Sequence, residues 1–423
     1  MKISALAAAL ALAAGLGSAA PSPRLAPPPA VPAPVNACLK CHLSLDDDTL
    51  SPPARAFQKE DVHAKAGFTC ANCHGGDPTQ DDMDAAHDPK KGFIGKPAHA
   101  QIPGVCAKCH SDAAMMKQYN PSLRVDELSE YKTSKHGQML AKGDQRVAEC
   151  ANCHGAHGIL PIKDSRSPVY PTRVAKTCNT CHGDAALMAS YHLPSDVYAK
   201  YMTSVHAKAM YEKGDISAPT CNSCHGNHGA TPPAVTSVAN VCGTCHAVFA
   251  EKFRASAHAR AFEDLGLPGC VTCHGNHDIA APTEEFLGTG PTGRCGSCHE
   301  KGDRCDVATT AMHGDIVALR TRIEAAHRVL ETASEAGMEV SKQKFDLTNA
   351  EEALTKARTD VHELQLAAVR KDADEGLAIA RAAEAAGHRA MAERDYRRRG
   401  LLLSLVLILG TIIALVFTIR RLG

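Results

Sequence analysis

Two long apolar stretches stand near opposite ends of the 423-residue chain. Residues 3–16 follow Lys2 and lead into the small residues 17–20, which is the pattern of an export signal and its cleavage site. An uncleaved membrane anchor is the alternative. Residues 401–419 carry no charged side chain and are long enough to span a bilayer. The sequence therefore predicts a signal peptide at 1–20 and a transmembrane helix with flanking arginines at 400–421.

The signal peptide orients the second stretch, because arginines flank that stretch on both sides and charge alone does not. We expect the bulk of the chain on the periplasmic side of the cytoplasmic membrane, held by a single C-terminal anchor. Only residues 420–423 would reach the cytoplasm. That tail is too short for an output domain, which disfavours a transmembrane signalling receptor.

An apolar period of seven precedes the anchor and predicts packed helices over residues 314–399. Its positions are Ile316, Leu319, Ile323, Ala326, Leu330 and Ala333, then Leu347, Ala350, Leu354, Ala357, Val361 and Leu364. Gly337 and Gly376 are predicted breaks, so a helical hairpin or small bundle competes with one long coiled-coil-like stalk. Homo-oligomerisation or docking to a membrane partner competes with a plain spacer. His327, His362 and His388 are expected to be exposed helix residues.

The middle of the chain lacks the material for an ordinary core. Aromatic residues are 4% of the chain and Trp is absent, so another group must fill the interior. Gly, Pro, Asn and Asp recur there, which predicts a mainly α and irregular fold with little sheet. Residues 21–37, rich in Pro and Ala, predict an extended linker. Lys plus Arg and Asp plus Glu both total 46, so no excess charge attracts nucleic acid.

Eighteen of the 19 cysteines form nine Cys-x-x-Cys-His motifs. The cysteine pairs are Cys38 and Cys41, Cys70 and Cys73, Cys106 and Cys109, Cys150 and Cys153, Cys178 and Cys181, Cys221 and Cys224, Cys242 and Cys245, Cys270 and Cys273, and Cys295 and Cys298. The motif histidines are His42, His74, His110, His154, His182, His225, His246, His274 and His299. This spacing attaches c-type haem through two thioethers and supplies one axial imidazole. We therefore predict nine covalently bound haem c groups.

Disulfides and zinc sites are the alternatives for paired cysteines in an exported protein. Neither explains a histidine after every second cysteine. Cys305 is left over, and a free thiol is favoured over pairing with another chain.

A second histidine on each iron would make an electron-transfer centre, whereas an open position would admit a substrate. Eleven histidines outside the motifs lie between Cys38 and His313, and nine are needed. His157, His228 and His277 belong to Cys-His-Gly-x-His. Three residues of chain reach at most ~10 Å, so each is predicted to ligate a neighbouring haem rather than its own.

His136, His206 and His258 form a second set, each preceded by Ser-x in similar words. His63, His87 and His313 complete the predicted distal ligands, leaving His99 and His192 spare. For any one histidine, an ordinary surface or hydrogen-bonded role is the alternative. The exchange of His87 with His99 stays open.

The motifs repeat as two-haem units: His, Cys-x-x-Cys-His-Gly-x-His, then Cys-x-x-Cys-His. Four units and the leading Cys38 motif predict a quasi-linear nine-haem domain at residues 38–313.

The words Cys150-Ala-Asn-Cys-His-Gly-Ala-His157 and Ser-Val-His206 resemble those of exported multihaem cytochromes with doubled motifs, the cytochrome c3-like or tetrahaem-type family. The resemblance covers roughly residues 38–313. It implies bis-histidine haems in stacked and perpendicular pairs, and a role as an electron conduit. Multihaem nitrite reductases carry Cys-x-x-Cys-Lys, which is absent here.

We expect a periplasmic electron carrier rather than an enzyme, with no catalytic residue of its own. Its expected partners are a membrane-embedded quinol-oxidising subunit and other redox proteins. The alternative is a multihaem oxidoreductase acting on nitrite, hydroxylamine or a sulfur compound at one open haem.

Overall fold

A computed structural model describes residues 35–229 and 238–422. The predicted signal peptide and most of the predicted linker lie outside the described residues. The chain divides into two units at Lys96 and Pro97, and each is described by itself. Residues 35–229 and 238–422 contain helices, turns and irregular segments but no strand, which confirms the predicted fold class.

The first unit consists of short helices joined by turns. Its helices are α1 Ala37–Ser44, α2 Ser51–Glu60, α3 Val62–Lys65, α4 Cys70–His74 and α5 Met83–Ala86, with a 3-10 turn at Pro89–Lys91. Helix α1 packs against α2. The Ala37 amide donates to the carbonyl oxygen of Pro78 over 2.8 Å, which ties the start of α1 to the loop after α4.

The second unit begins with further short helices. They are α6 Ile102–His110, α7 Ala113–Tyr119, α8 Glu127–Thr133, α9 Lys135–Ala141, α10 Cys150–His154, α11 Pro171–His182, α12 Ala185–Ser190, α13 Val197–Thr203, α14 Val205–Glu212, α15 Cys221–His225, α16 Ala247–Ala255, α17 Ala257–Asp264 and α18 Gly269–His274. Single 3-10 turns lie at His99–Gln101, Val238–Thr244, Glu284–Phe286 and Cys295–Ser297. Among the described residues of this region, buried apolar side chains group into a small cluster around Ala175, Tyr201 and Ala207. The described side chains alone therefore do not build a large core here.

Three long helices follow and hold the main hydrophobic core. They are α19 Arg304–Glu335, α20 Ser341–Asp360 and α21 Leu366–Leu422, with a 3-10 turn at Val361–Glu363 between the last two. Helix α21 packs against both α19 and α20. All six predicted seam positions on α19 are at most 5% exposed, from Leu319 at 0% to Ile323 at 5%. The structure is thus a three-helix bundle, and the single long stalk is ruled out for these residues.

Two glycines of the bundle have different roles. Gly337, at φ +78°, lies in the turn after α19, where the sequence predicted a break. The predicted break at Gly376 is wrong, because α21 is continuous through it. A Cβ at Gly376 would lie 2.8 Å from Leu319 Cδ2, so this glycine allows α21 to approach α19 closely.

The bundle begins earlier than predicted. Helix α19 starts at Arg304, inside residues 38–313 that were assigned to haem binding from the sequence, and not at residue 314. Its other end continues into the apolar stretch. The last part of α21 is apolar enough and long enough to cross a membrane, and its large apolar side chains from Leu401 onward are exposed.

Candidate functional site

The Cys-x-x-Cys-His motifs sit on helical turns, where residues three apart lie on the same face. Seven of them lie within or at the end of α1, α4, α6, α10, α11, α15 and α18, and the other two lie in or beside 3-10 turns. Both cysteines of a motif are thus presented together, with the histidine in the next position. This local geometry suits attachment of one porphyrin edge and one axial ligand.

Each of seven motif histidines faces a histidine from outside the motifs. The pairs and their ring-centroid distances are His42–His87 at 6.2 Å, His136–His182 at 6.2 Å, His154–His228 at 6.1 Å, His206–His246 at 6.3 Å, His225–His277 at 6.0 Å, His258–His299 at 6.0 Å and His274–His362 at 6.1 Å. Metal–imidazole bonds are about 2.0 Å, and about 1.1 Å more separates nitrogen from ring centroid, so two axial imidazoles require about 6 Å between centroids. The pairs fit an iron between them.

The Cys-His-Gly-x-His histidines face the preceding repeat. His228 faces His154 and His277 faces His225, so neither is paired with the histidine of its own motif. Gly226 and Gly275, at φ +82° and +75°, end the motif helices and turn the chain away. This arrangement matches the predicted neighbour crosslink, and ligation itself stays a prediction.

Each Ser-x-His histidine faces the second motif histidine of its own two-haem repeat: His136 faces His182, His206 faces His246, and His258 faces His299. In two of the three motifs, the serine side chain caps the helix that presents the histidine. Ser134 accepts from the Gly137 amide over 3.0 Å, and Ser204 from the Ala207 amide over 3.1 Å. Asp61 does the same before His63, accepting from its amide over 2.8 Å. The motif thus encodes a capped turn before His136 and His206, whereas the Ser256 side chain makes no such cap before His258.

The other predicted distal ligands are placed as follows. His87 faces His42, whereas spare His99 directs Nε2 at the Val147 carbonyl oxygen over 2.8 Å. The structure therefore favours His87 in that exchange. His192 lies in a turn at φ +56°. The assignments of His63 and His157 stay predictions, as do the haems of His74 and His110.

Among the described residues, the structure does not pair His313 with a second histidine, and its assignment as a distal ligand stays a prediction. Within residues 97–229 and 238–422, no ring contact joins His313 to a second histidine, and His313 lies near Glu285. The ring opposite His274 belongs to His362, expected to be an exposed helix residue. It is instead packed between His274 and Phe249. The sequence did not reveal His362 as a ligand because this residue lies 88 positions after His274 and outside every repeated motif.

The ring nitrogen that makes a hydrogen bond distinguishes several candidate ligands from two other histidines. Four candidate ligands use Nδ1: His63 contacts Asp61 over 3.0 Å, His74 the Gly95 carbonyl oxygen over 2.8 Å, His299 Asp303 over 3.1 Å, and His362 the Thr359 carbonyl oxygen over 3.0 Å. An Nδ1–H bonded to such an acceptor leaves Nε2 available to a metal. His99 and His327 instead engage Nε2, with the Val147 carbonyl and Glu351.

Burial favours the neutral form of eight of the paired imidazoles, the form in which an imidazole binds a metal. Desolvation lowers the pKa of His136, His154, His182, His206, His225, His258, His274 and His362. In several pairs the facing histidine lowers the pKa further, as His182 does for His136.

The cysteines of consecutive motifs touch. The thiols of Cys178 and Cys221 hydrogen-bond, which raises the pKa of the first and lowers that of the second to about 7. The same contact joins Cys242 with Cys270, and Cys106 with Cys150. Within units, burial raises the pKa of Cys153, Cys224 and Cys273, and a cysteine of the next motif adds to each shift. The attachment points from Cys106 to Cys298 therefore follow one another in chain order.

One cluster near the last motif resembles a metal site: ligand atoms of His299, Asp303 and Cys305 lie within 4.8 Å of one another. His299 is a haem-motif histidine, however, and Asp303 orients its ring. Burial raises the pKa of Cys305 to about 12, with Cys295 also contributing. The cluster therefore belongs to the last haem site.

Comparison with known proteins finds two matching family profiles. The cytochrome c3 family profile matches residues 62–183, and the profile of the doubled CXXCH motif matches residues 214–251. The chain is a multihaem c-type cytochrome of the cytochrome c3-like family. It is an electron-transfer cytochrome that binds haem c covalently. No curated protein and no solved structure matches this cytochrome.

Proposed function

We propose that this cytochrome binds nine haems, each between two histidines, and conducts electrons along them at the periplasmic side of the cytoplasmic membrane. The observation that carries the proposal is the set of seven histidine pairs 6.0–6.3 Å apart. Haem c, when bound, supplies a one-electron ferric–ferrous couple at each pair.

Paired imidazoles favour a carrier over an enzyme. In each pair one ring comes from an attachment motif and the other approaches from the opposite side, as His228 does for His154. A reactant would have to displace a distal imidazole such as His136, which lies on a capped helix, or His362, which is held by a hydrogen bond at Nδ1. The seven pairs therefore offer positions for charge to move through, and an iron held between two of these imidazoles would have no open coordination position for a substrate.

The contacts between consecutive cysteines support a conducting chain. Because Cys178 touches Cys221 and Cys242 touches Cys270, the attachment points of neighbouring haems adjoin. The histidine that crosses from one repeat to the preceding one holds the same two repeats together. Electron transfer falls off steeply with distance, so this crosslinked succession is the arrangement that hopping needs.

The helical bundle separates the His274–His362 pair from the membrane anchor. From Leu366 to the start of the apolar stretch, α21 covers about 50 Å at 1.5 Å per residue. Its first turn lies beside the His274–His362 pair, since Leu366 is four residues from His362. A membrane-embedded quinol-oxidising partner would need its own exported redox group to reach the haem held by this pair. We propose such a partner as donor, and periplasmic or outer redox proteins as acceptors.

Three measurements on the full-length protein test this function. Pyridine haemochrome analysis with intact mass should give nine haems, and fewer would contradict the count. Electron paramagnetic resonance of the oxidised protein should show low-spin iron only. A substantial high-spin signal that nitrite or hydroxylamine alters would instead favour an oxidoreductase. Membranes containing the protein should reduce it with quinol, and failure of the intact membrane complex to do so would refute the proposed donor.

A further inference from the structure

His362 belongs to the helical bundle, yet it lies against the haem-binding region. It occupies the 3-10 turn Val361–Glu363, between α20 and α21. Its ring centroid lies 6.1 Å from that of His274, with the ring planes inclined by 15°. The pairs His154–His228 and His225–His277 have nearly the same geometry, at 6.1 and 6.0 Å and 17° and 16°.

The His362 ring is held in the orientation of a metal ligand. Its Nδ1 lies 3.0 Å from the carbonyl oxygen of Thr359, which leaves Nε2 for another partner. Phe249 packs against the ring edge, with centroids 5.0 Å apart and planes at 72°. Leu364, at φ +58°, then reverses the chain before α21 begins.

Charged contacts fix the same turn to the haem-binding region. Lys252 of α16 binds Asp360 over 2.9 Å and Glu363 over 2.6 Å, one carboxylate on each side of His362. Helix α16 begins directly after the motif histidine His246 and also carries Phe249. The turn is therefore clamped against the haem-binding region at three points.

The order of the repeats explains why such a ligand is needed. His228 serves the repeat before its own, and so does His277. The motif ending at His274 has no later Cys-His-Gly-x-His to serve it in turn. The ring that would come from a further repeat comes from the bundle instead.

We propose that His362 is the distal ligand of the haem attached at Cys270 and Cys273, so that the bundle supplies a ligand to the haem array. This rests on the proposed bis-histidine function. The segment leading into the membrane anchor thereby closes one iron, and loss of its imidazole opens that iron alone.

The test compares His362→Ala with His313→Ala and His327→Ala in the full-length protein. We expect His362→Ala to convert one haem per chain to high spin, and the reduced variant to bind one carbon monoxide per chain. Added imidazole should restore the low-spin spectrum. His313→Ala and His327→Ala should keep the wild-type spectrum. A low-spin His362→Ala, or a high-spin haem in His313→Ala, would overturn the assignment.

Two further results separate the possible failures. Wild-type protein with high-spin haem or fewer than nine haems contradicts the proposed function, whereas fully low-spin wild type with an unchanged His362→Ala contradicts only this ligand. If His362→Ala does not fold, His362→Met tests the same point. A Met–His pair should stay low spin and raise the reduction potential of one haem. An unchanged set of potentials in His362→Met would overturn the proposal.

Discussion

The ring of His228 lies 6.1 Å from the ring of His154, in the preceding repeat, and their planes are inclined by only 17°. The other cross-repeat pair, His225–His277, is inclined by 16°, and His274–His362, which joins a repeat to the bundle, by 15°. Pairs formed within units are more twisted: 61° for His136–His182 and 69° for His258–His299, with 34° for His206–His246. The Cys-His-Gly-x-His and Ser-x-His motifs thus produce different angles between the paired imidazole planes.

Ligand geometry should divide the haems into two spectroscopic classes. Nearly parallel imidazoles overlap the same iron d orbital and separate it in energy from its partner, whereas nearly perpendicular ones leave the two almost equal. We expect ordinary rhombic low-spin signals from the cross-repeat haems and strongly anisotropic ones from the twisted pairs. Electron paramagnetic resonance of His277→Ala should lose a rhombic component, and that of His258→Ala an anisotropic one. Loss of the same component in both would contradict this assignment.

Gly226 should be required for the cross-repeat ligand. At φ +82° and ψ 163° it lies in a region essentially restricted to glycine, where other residues cost about 1–3 kcal/mol. We expect Gly226→Ala to displace His228, lower the melting temperature and produce one partly high-spin haem. Gly104→Ala is the control, because Gly104 sits in α6 without positive φ and with no heavy atom within 4 Å of an added Cβ. Equal effects of both substitutions would refute the conformational argument.

The bundle core could be predicted from the sequence, but the last ligand could not. Ile316 and Leu330 repeat with a helical period, and burial follows from the period without knowledge of the partner helix. His228 and His277 could be found because the same word recurs. His362 occurs once, and its position depends on where the α20–α21 turn meets α16. That is a tertiary contact formed by Lys252 with Asp360 and Glu363, which no local pattern encodes.

Asp303 should tune the last haem through His299. Its carboxylate lies 3.1 Å from His299 Nδ1, and such a partner raises the basicity of an imidazole ligand and favours ferric iron. We expect Asp303→Asn to raise one reduction potential in a spectroelectrochemical titration. Folding should be kept, because Asp303 also caps α19 and asparagine caps a helix equally well.

Glu300→Gln is the matched control for charge alone. Glu300 adjoins His299 and is exposed, but its side chain is not the group hydrogen-bonded to the His299 ring. We expect a smaller change in potential from Glu300→Gln than from Asp303→Asn. Equal shifts would show that Asp303 acts through its charge and not through its hydrogen bond.

Close approach of α21 to α19 should make Gly376 sensitive to one added methyl group. A Cβ there would lie 2.8 and 2.9 Å from the two methyl carbons of Leu319 and 3.0 Å from the Ala353 Cβ. Overpacking of this kind costs about 1–3 kcal/mol, more than the roughly 1 kcal/mol that alanine gains over glycine in a helix. Thermal unfolding followed by circular dichroism should show Gly376→Ala destabilised. Gly314→Ala, in α19 with no heavy atom within 4 Å of the added Cβ, should be neutral or stabilised.

Because Leu319 is fully buried and surrounded by helices, it has little room to move away. A Gly376→Ala protein as stable as Gly314→Ala would therefore mean that the helices can separate there, and that the bundle is a looser connection between haems and anchor than its packing indicates.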